Sequence, residues 1–244
     1  LYRQFQKDDY NVLLKRIERM IKKYKLSDTF KYGYDKYCCN SADGLAEYNK
    51  EMYKKLRDDF NKSKGKKTIT RTIQFYLLIV FGFNNQIRFN GKNEFNLPVG
   101  KRDFNSKMRE KLFEFHSVLK SLCFNFSSKS YINFNDLSEG DFVYIDPPYL
   151  LGVASYNENG GWSEKDDKQL FDYLDKIDKL GAKFAMSNVV LHKNQEHTKL
   201  MQWASKYNLH VLNFNYNNSN YQSTAKKSST VEVLVTNYEM GEII

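Results

Sequence analysis

The amino-acid sequence predicts an α/β protein in two parts: a helix-rich region bearing a β-hairpin, then a region built on a sheet. Three observations lead there. From Phe142 onward, apolar runs of strand length alternate with amphipathic helical stretches, the pattern of an α/β sheet. The run Phe142-Val143-Tyr144-Ile145 stops at Asp146-Pro147-Pro148-Tyr149. Proline cannot donate to a sheet ladder, so two in succession end a strand in a stiff turn. Upstream, Asn90-Gly91 separates two short runs of alternating polarity, a hairpin signal of the type I′ kind. The expected division is 1–107, with the hairpin at about 84–102, and 108–244.

The elements follow in order. Residues 10–26 place Leu13, Ile17, Met20, Ile21 and Tyr24 at helical spacing with basic residues between them. Residues 27–47, rich in Ser, Asp, Asn and Gly, read as loop, and 47–61 as a helix through Tyr48, Met52, Leu56 and Phe60. The basic stretch 61–67 is either a solvated loop or one that contacts phosphates. A strongly apolar helix is expected over 69–82, the hairpin strands at 85–90 and 94–97, an amphipathic helix over 106–122 and a short strand over 123–126. After the Asp-Pro-Pro-Tyr strand, Ser163-Glu164-Lys165-Asp166 opens a helix with a capping-box pattern, and Gly181 stops it. A strand over 183–188, a helix over 197–207, a strand over 209–214, a polar loop over 215–229 and a last strand over 230–237 complete the chain.

Composition narrows the class. The chain's 244 residues are 41% hydrophobic, with 18 Phe and 18 Tyr, enough for a proper core. No apolar run approaches the roughly 18 residues that span a bilayer, and no signal-peptide pattern is present, so no membrane partner is expected. A formal charge of +9 favours a polyanionic partner. Cys38, Cys39 and Cys123 are odd in number and lack CxxC spacing, which argues against a disulfide scaffold or a zinc site and for reduced thiols in the cytoplasm. His192 and His197 have the wrong spacing for one helical face and read as unliganded surface histidines. No metal site is expected.

The chemistry concentrates at two places. Ligands of open α/β sheets bind beyond the carboxyl ends of the strands. A carboxylate at the last strand position, a rigid turn and an aromatic ring suit a flat base with an exocyclic amine. Asp146 and the carbonyl of Pro147 would accept the two amine protons while Tyr149 stacks on the ring. This tetrapeptide arises by chance in roughly one chain in a thousand of this length. The second place is the hairpin, since a two-stranded ribbon can enter the major groove of DNA. Arg88 and Asn90 share a parity and so one face, with Arg102 just beyond the second strand. Arginine offers a bidentate fork to guanine, and asparagine can read adenine or phosphates.

These residues carry a resemblance. A strand ending in Asp-Pro-Pro-Tyr is the catalytic motif of amino-methyltransferases, and the chain resembles the Dam-type (D12 class) DNA adenine-N6 methyltransferases, in particular their phage branch. The likeness takes in Phe81-Gly82-Phe83-Asn84-Asn85, Ile87-Arg88-Phe89-Asn90, Glu94 through Arg102, Gly140 through Ile145, and Ser187-Asn188, in the same order over nearly all of the chain. The resemblance implies a Rossmann-like sheet that uses S-adenosyl-L-methionine, a helical target-recognition domain over 1–107 and a catalytic domain over 108–244. It implies methylation of adenine N6 in double-stranded DNA, with Asp146, Pro147, Tyr149 and Tyr156 around the flipped base. It puts Asp146, Ser130 and Tyr131 at the cofactor, and Arg88 and Arg102 on guanine-reading arginines. A cognate restriction endonuclease is a further possible partner.

The family's Gly-rich cofactor turn after the first strand is absent, since no G-x-G occurs, and the resemblance sets Leu1 just beyond the acidic residue that follows the family's second strand. The sheet is therefore expected to be N-terminally incomplete, with an unpaired apolar edge beside Ile145. Two other readings stay open: an amino-methyltransferase for RNA or a protein glutamine amide, and a DNA-binding remnant without activity.

Overall fold

The computed structural model describes residues 1–151, 161–212, 230–239 and 241. The chain divides into two compact units, Leu1–Ser128 and Lys129–Ile244. The helix expected to open the second region therefore belongs to the first unit, which continues past residue 107.

The N-terminal unit is helical. Its α-helices are α1 (Tyr2–Lys7), α2 (Tyr10–Lys23), α3 (Thr29–Tyr32), α4 (Ala46–Lys62), α5 (Ile69–Val80) and α6 (Ser106–Ser121). Local chemistry starts four of them: Asp9, Asp28, Thr68 and Asn105 accept backbone N–H bonds in the first turns of α2, α3, α5 and α6. The apolar stripes then meet, with Leu13, Ile17 and Ile21 of α2, Tyr53, Leu56 and Phe60 of α4, and Ile73, Leu77 and Leu78 of α5 in one buried core. Four of the expected helices are thus present, with ends shifted by a few residues.

The strand expected over 123–126 does not form. No strand among the described residues pairs with it. The carbonyls of Phe124 and Phe126 accept instead from Gln6 and Arg3 of α1, and Phe124 and Phe126 pack against the core.

The hairpin is present in reduced form. It rests on isolated bridges, Phe89 with Phe95 and Gly82 with Val99, rather than on a continuous ladder. Its turn is not type I′, because Asn93, and neither Asn90 nor Gly91, takes positive φ (56°). Asn93 N–H bonds the Asn90 carbonyl at 2.8 Å and Asn90 N–H bonds the Glu94 carbonyl at 2.9 Å, a three-residue loop closed by a left-handed residue. At the root, Gly82 and Gly100 approach so closely that a Cβ on Gly100 would lie 2.5 Å from the Gly82 carbonyl oxygen.

The C-terminal unit is a mixed α/β layer. Its elements are β1 (Phe142–Ile145), α7 (Glu164–Lys179), β2 (Lys183–His192), β3 (Gln195–Glu196), α8 (Thr198–Ala204), β4 (Asn208–Leu212) and β5 (Thr230–Thr236). The strand order is β1-β2-β5-β4, with β3 paired to β2. β1 runs parallel to β2, in register from Phe142 with Lys183 to Ile145 with Met186, and the other pairs are antiparallel. The capping box of Ser163 and Asp166 starts α7 as expected, and Gly181 follows its end at φ 77°. Leu170, Leu174 and Ile177 of α7 pack on Phe184, Met186, Val233 and Val235 of the sheet. β1 is an outer strand of this sheet, and Phe142 and Tyr144 on it are 58% and 61% exposed. Parts of the expected 209–214 strand and the whole 215–229 loop lie outside the described residues.

Candidate active site

The parallel register of β1 and β2 sets the geometry at Asp146. One step beyond the Ile145–Met186 pair, Asp146 stands beside Ser187, whose hydroxyl donates to Asp146 Oδ1 at 3.0 Å. The Tyr149 hydroxyl donates to the same oxygen at 3.0 Å. Oδ2 has no partner among the described residues, and the side chain is exposed. Pro147 is buried and Pro148 exposed, so the turn is anchored at its first proline. Burial pushes the Tyr149 hydroxyl up to about 12, with Ser187 opposing and Asp146 adding to the rise. Tyr149 therefore stays a donor to the carboxylate at neutral pH.

Beside this strand end lies a cleft of about 590 Å³. Asp146, Pro147, Pro148, Tyr131, Trp162 and Tyr173 are among its lining residues. Tyr131 meets Tyr173 edge-on at 5.2 Å, and its hydroxyl is buried with no partner among the described residues. Tyr131 thus lines the same cleft as Asp146. Ser130, exposed and next to it, does not line the cleft. Tyr156 lies outside the described residues. No group of three or more metal-ligating side chains occurs among the described residues.

The hairpin residues belong to the N-terminal unit. Arg88 donates through Nε to Asn96 Oδ1 at 2.8 Å and through Nη2 to the Asn96 carbonyl at 3.0 Å. Asn90 closes the turn: its Oδ1 accepts from Lys92 and Glu94 N–H, and its Nδ2 donates to Glu94. Arg102 is exposed and donates to the Ser41 carbonyl at 3.0 Å. Sequence reasoning missed what holds this hairpin. From α4, Asn61 exchanges two bonds with the Phe95 backbone (2.9 and 3.0 Å) and Arg57 donates to the Leu97 carbonyl at 3.1 Å. No local pattern marks either residue, because each acts on a partner more than thirty positions away.

The histidine expectation needs correction. His192 is half-buried at the end of β2 and meets Thr230 at 2.9 Å. His197 is instead buried, 3% exposed, with its Nε2 2.8 Å from Asp167. Spacing along the chain could not show this, since the partner is on another helix.

A profile of the family described as D12 class N6 adenine-specific DNA methyltransferase matches residues 5–224. The chain belongs to this family. Among its relatives, it is 38% identical over 203 residues to the type II methyltransferase M.FokI of Planomicrobium okeanokoites, covering 80% of this chain and 30% of that protein. It is 35% identical over 206 residues to the modification methylase StsI of Streptococcus sanguinis, again 80% of this chain and 30% of the relative. With the DNA adenine methylase of Escherichia coli K12 it shares 26% identity over 193 residues, 79% of this chain and 66% of that protein. The chain spans less than a third of the length of the first two of these relatives.

Proposed function

We propose that the chain transfers a methyl group from S-adenosyl-L-methionine to N6 of adenine in double-stranded DNA, on a Rossmann-like catalytic sheet. The observation that carries this is Asp146: a carboxylate at a strand end, exposed, with one oxygen held by Ser187 and Tyr149 and the other without a described partner. Adenine N6 inside a duplex is out of reach, so the base must flip into a pocket. Asp146 Oδ2 then accepts an N6–H bond, the Pro147 carbonyl accepts the other, and both raise electron density on the amine. Tyr149 would turn its ring against the flipped base, with Tyr156 closing the other side.

The cofactor supplies an electrophilic methyl group when bound. The cleft beside Asp146 suits it: Tyr131, Trp162 and Tyr173 offer aromatic surface, and the buried Tyr131 hydroxyl has no partner among the described residues. The chain's part is to hold amine and donor in line and to exclude water.

The N-terminal unit serves as target-recognition domain in this reading, with Arg88, Asn90 and Arg102 facing DNA. Support comes from the net charge of +9 and the exposed arginine at the hairpin's end. A cognate restriction endonuclease fits relatives named modification methylases, and the cytoplasm is the matching location. No helix among the described residues is long and apolar enough to cross a membrane. The test is transfer of labelled methyl to duplex DNA, RNA and protein in parallel. N6-methyladenine in the duplex alone is expected. Label in RNA or in a glutamine amide, or none at all, would overturn the proposal.

A further inference from the structure

Three side chains of the C-terminal unit form a buried chain that ends in the cleft. His197 Nδ1 accepts the N–H of Leu200 at 3.3 Å, which places the ring proton on Nε2. That nitrogen donates to Asp167 Oδ2 at 2.8 Å, and both side chains are 2% exposed. The other oxygen, Oδ1, accepts from Trp162 Nε1 at 2.7 Å. Asp167 lies in the first turn of α7, where the helix end favours a negative charge.

Burying a carboxylate is costly unless its bonds are met, and an apolar residue would pack the same space with less penalty. What the carboxylate adds is direction. An indole in an apolar wall can turn over without loss, whereas one whose N–H is tied to a buried, doubly bonded carboxylate has a single orientation. Trp162 is a wall of the cleft that contains Asp146, Pro147 and Tyr131.

We propose that His197 and Asp167 are positioning residues that hold Trp162 as a fixed flat wall for the purine ring of the S-adenosyl cofactor. The identity of the ligand rests on the methyltransferase reading; the fixation of the indole does not.

Only Trp162 and Trp203 are present, so a Trp203→Phe background isolates the indole in question. In that background Trp162 should be weakly quenched by acrylamide without ligand. His197→Ala should raise the quenching constant at least twofold and weaken S-adenosylhomocysteine binding, read by calorimetry, about tenfold. His197→Gln, which can still donate to Asp167, should restore both. Trp162→Phe keeps the His197–Asp167 pair and an aromatic ring but loses the tether; it should weaken binding several-fold while staying folded, with a melting point lowered by the unmet Asp167 oxygen, and it decides the matter if His197→Ala does not fold. Unchanged quenching and affinity in His197→Ala, or unchanged affinity in Trp162→Phe, overturns the positioning role. A parent protein that does not bind S-adenosylhomocysteine at all overturns the cofactor reading, and the wall's assignment with it.

Discussion

The hairpin at 84–102 and the end of β1 hold the two sets of residues expected to act on DNA, and they are built in opposite ways. The hairpin has isolated bridges in place of a ladder, so side chains do the work of backbone pairing: Asn90 closes the turn, Asn96 holds the Arg88 fork, and Asn61 and Arg57 fix the second strand to α4. At β1 a parallel ladder with β2 secures the backbone, and the bonds that Asp146 accepts from described residues fall on one of its two oxygens. On the proposed function, a polar residue in the weakly paired hairpin has two employments, folding and recognition, whereas one at the end of the laddered strand is spared for chemistry.

The sharpest way to break this contrast is Asp146→Ala. It should lower methyl transfer at least about 100-fold, the scale of losing one group aimed at the reacting centre. DNA affinity should be nearly unchanged, because phosphate contacts dominate it. Wild-type turnover of the variant at saturating cofactor would remove Asp146 from the site.

Arg88→Ala and Arg102→Ala come next, each expected to lose about 1–3 kcal/mol of discrimination at particular base pairs. Only Arg88→Ala should also destabilise the protein, by about 1 kcal/mol, because its fork makes two bonds to Asn96 whereas exposed Arg102 makes one to a loop carbonyl. Binding isotherms over single-base variants, with urea titrations, separate these effects. A loss spread evenly over all sequences with a shallower salt slope would make the arginines phosphate contacts.

The smallest effect belongs to Tyr149→Phe. Burial raises the hydroxyl from its ordinary 10.0 to about 12. A folded pKa above the unfolded one gives stability that is fully present below pH 10 and lost as pH rises towards 12. Tyr149→Phe should therefore flatten the decline of stability between pH 10 and 12 relative to the wild type. Tyr24, also raised to about 12, titrates in both proteins and cancels in the difference. Parallel declines would show that Tyr149 is not protonated through its place beside Asp146.

How much was legible in advance depended on range. Asp9, Thr68, Asn105 and the Ser163–Asp166 box cap helices by reaching two or three residues along the chain, and periodicity located the buried stripes they start. The two prolines after Ile145 were enough to place Asp146 at a strand end. The turn at Asn90-Gly91 was misjudged because Asn90's side chain bonds Lys92 and Glu94 while α4 fixes the second strand, and together these favour a three-residue loop over the tighter turn.

By itself, then, the sequence determined the longer helices, the strand ending in Asp-Pro-Pro-Tyr and the family, all of which rest on interactions within a few residues or on motifs read in line. Tertiary structure decided the rest: that Ser187, 41 residues away, bonds Asp146, that Asn61 pairs with Phe95, and that His197 is buried against Asp167. Such contacts depend on which strand neighbours which and where a helix lands. A polar residue carries no local mark of a partner that only chain folding brings within about 3 Å.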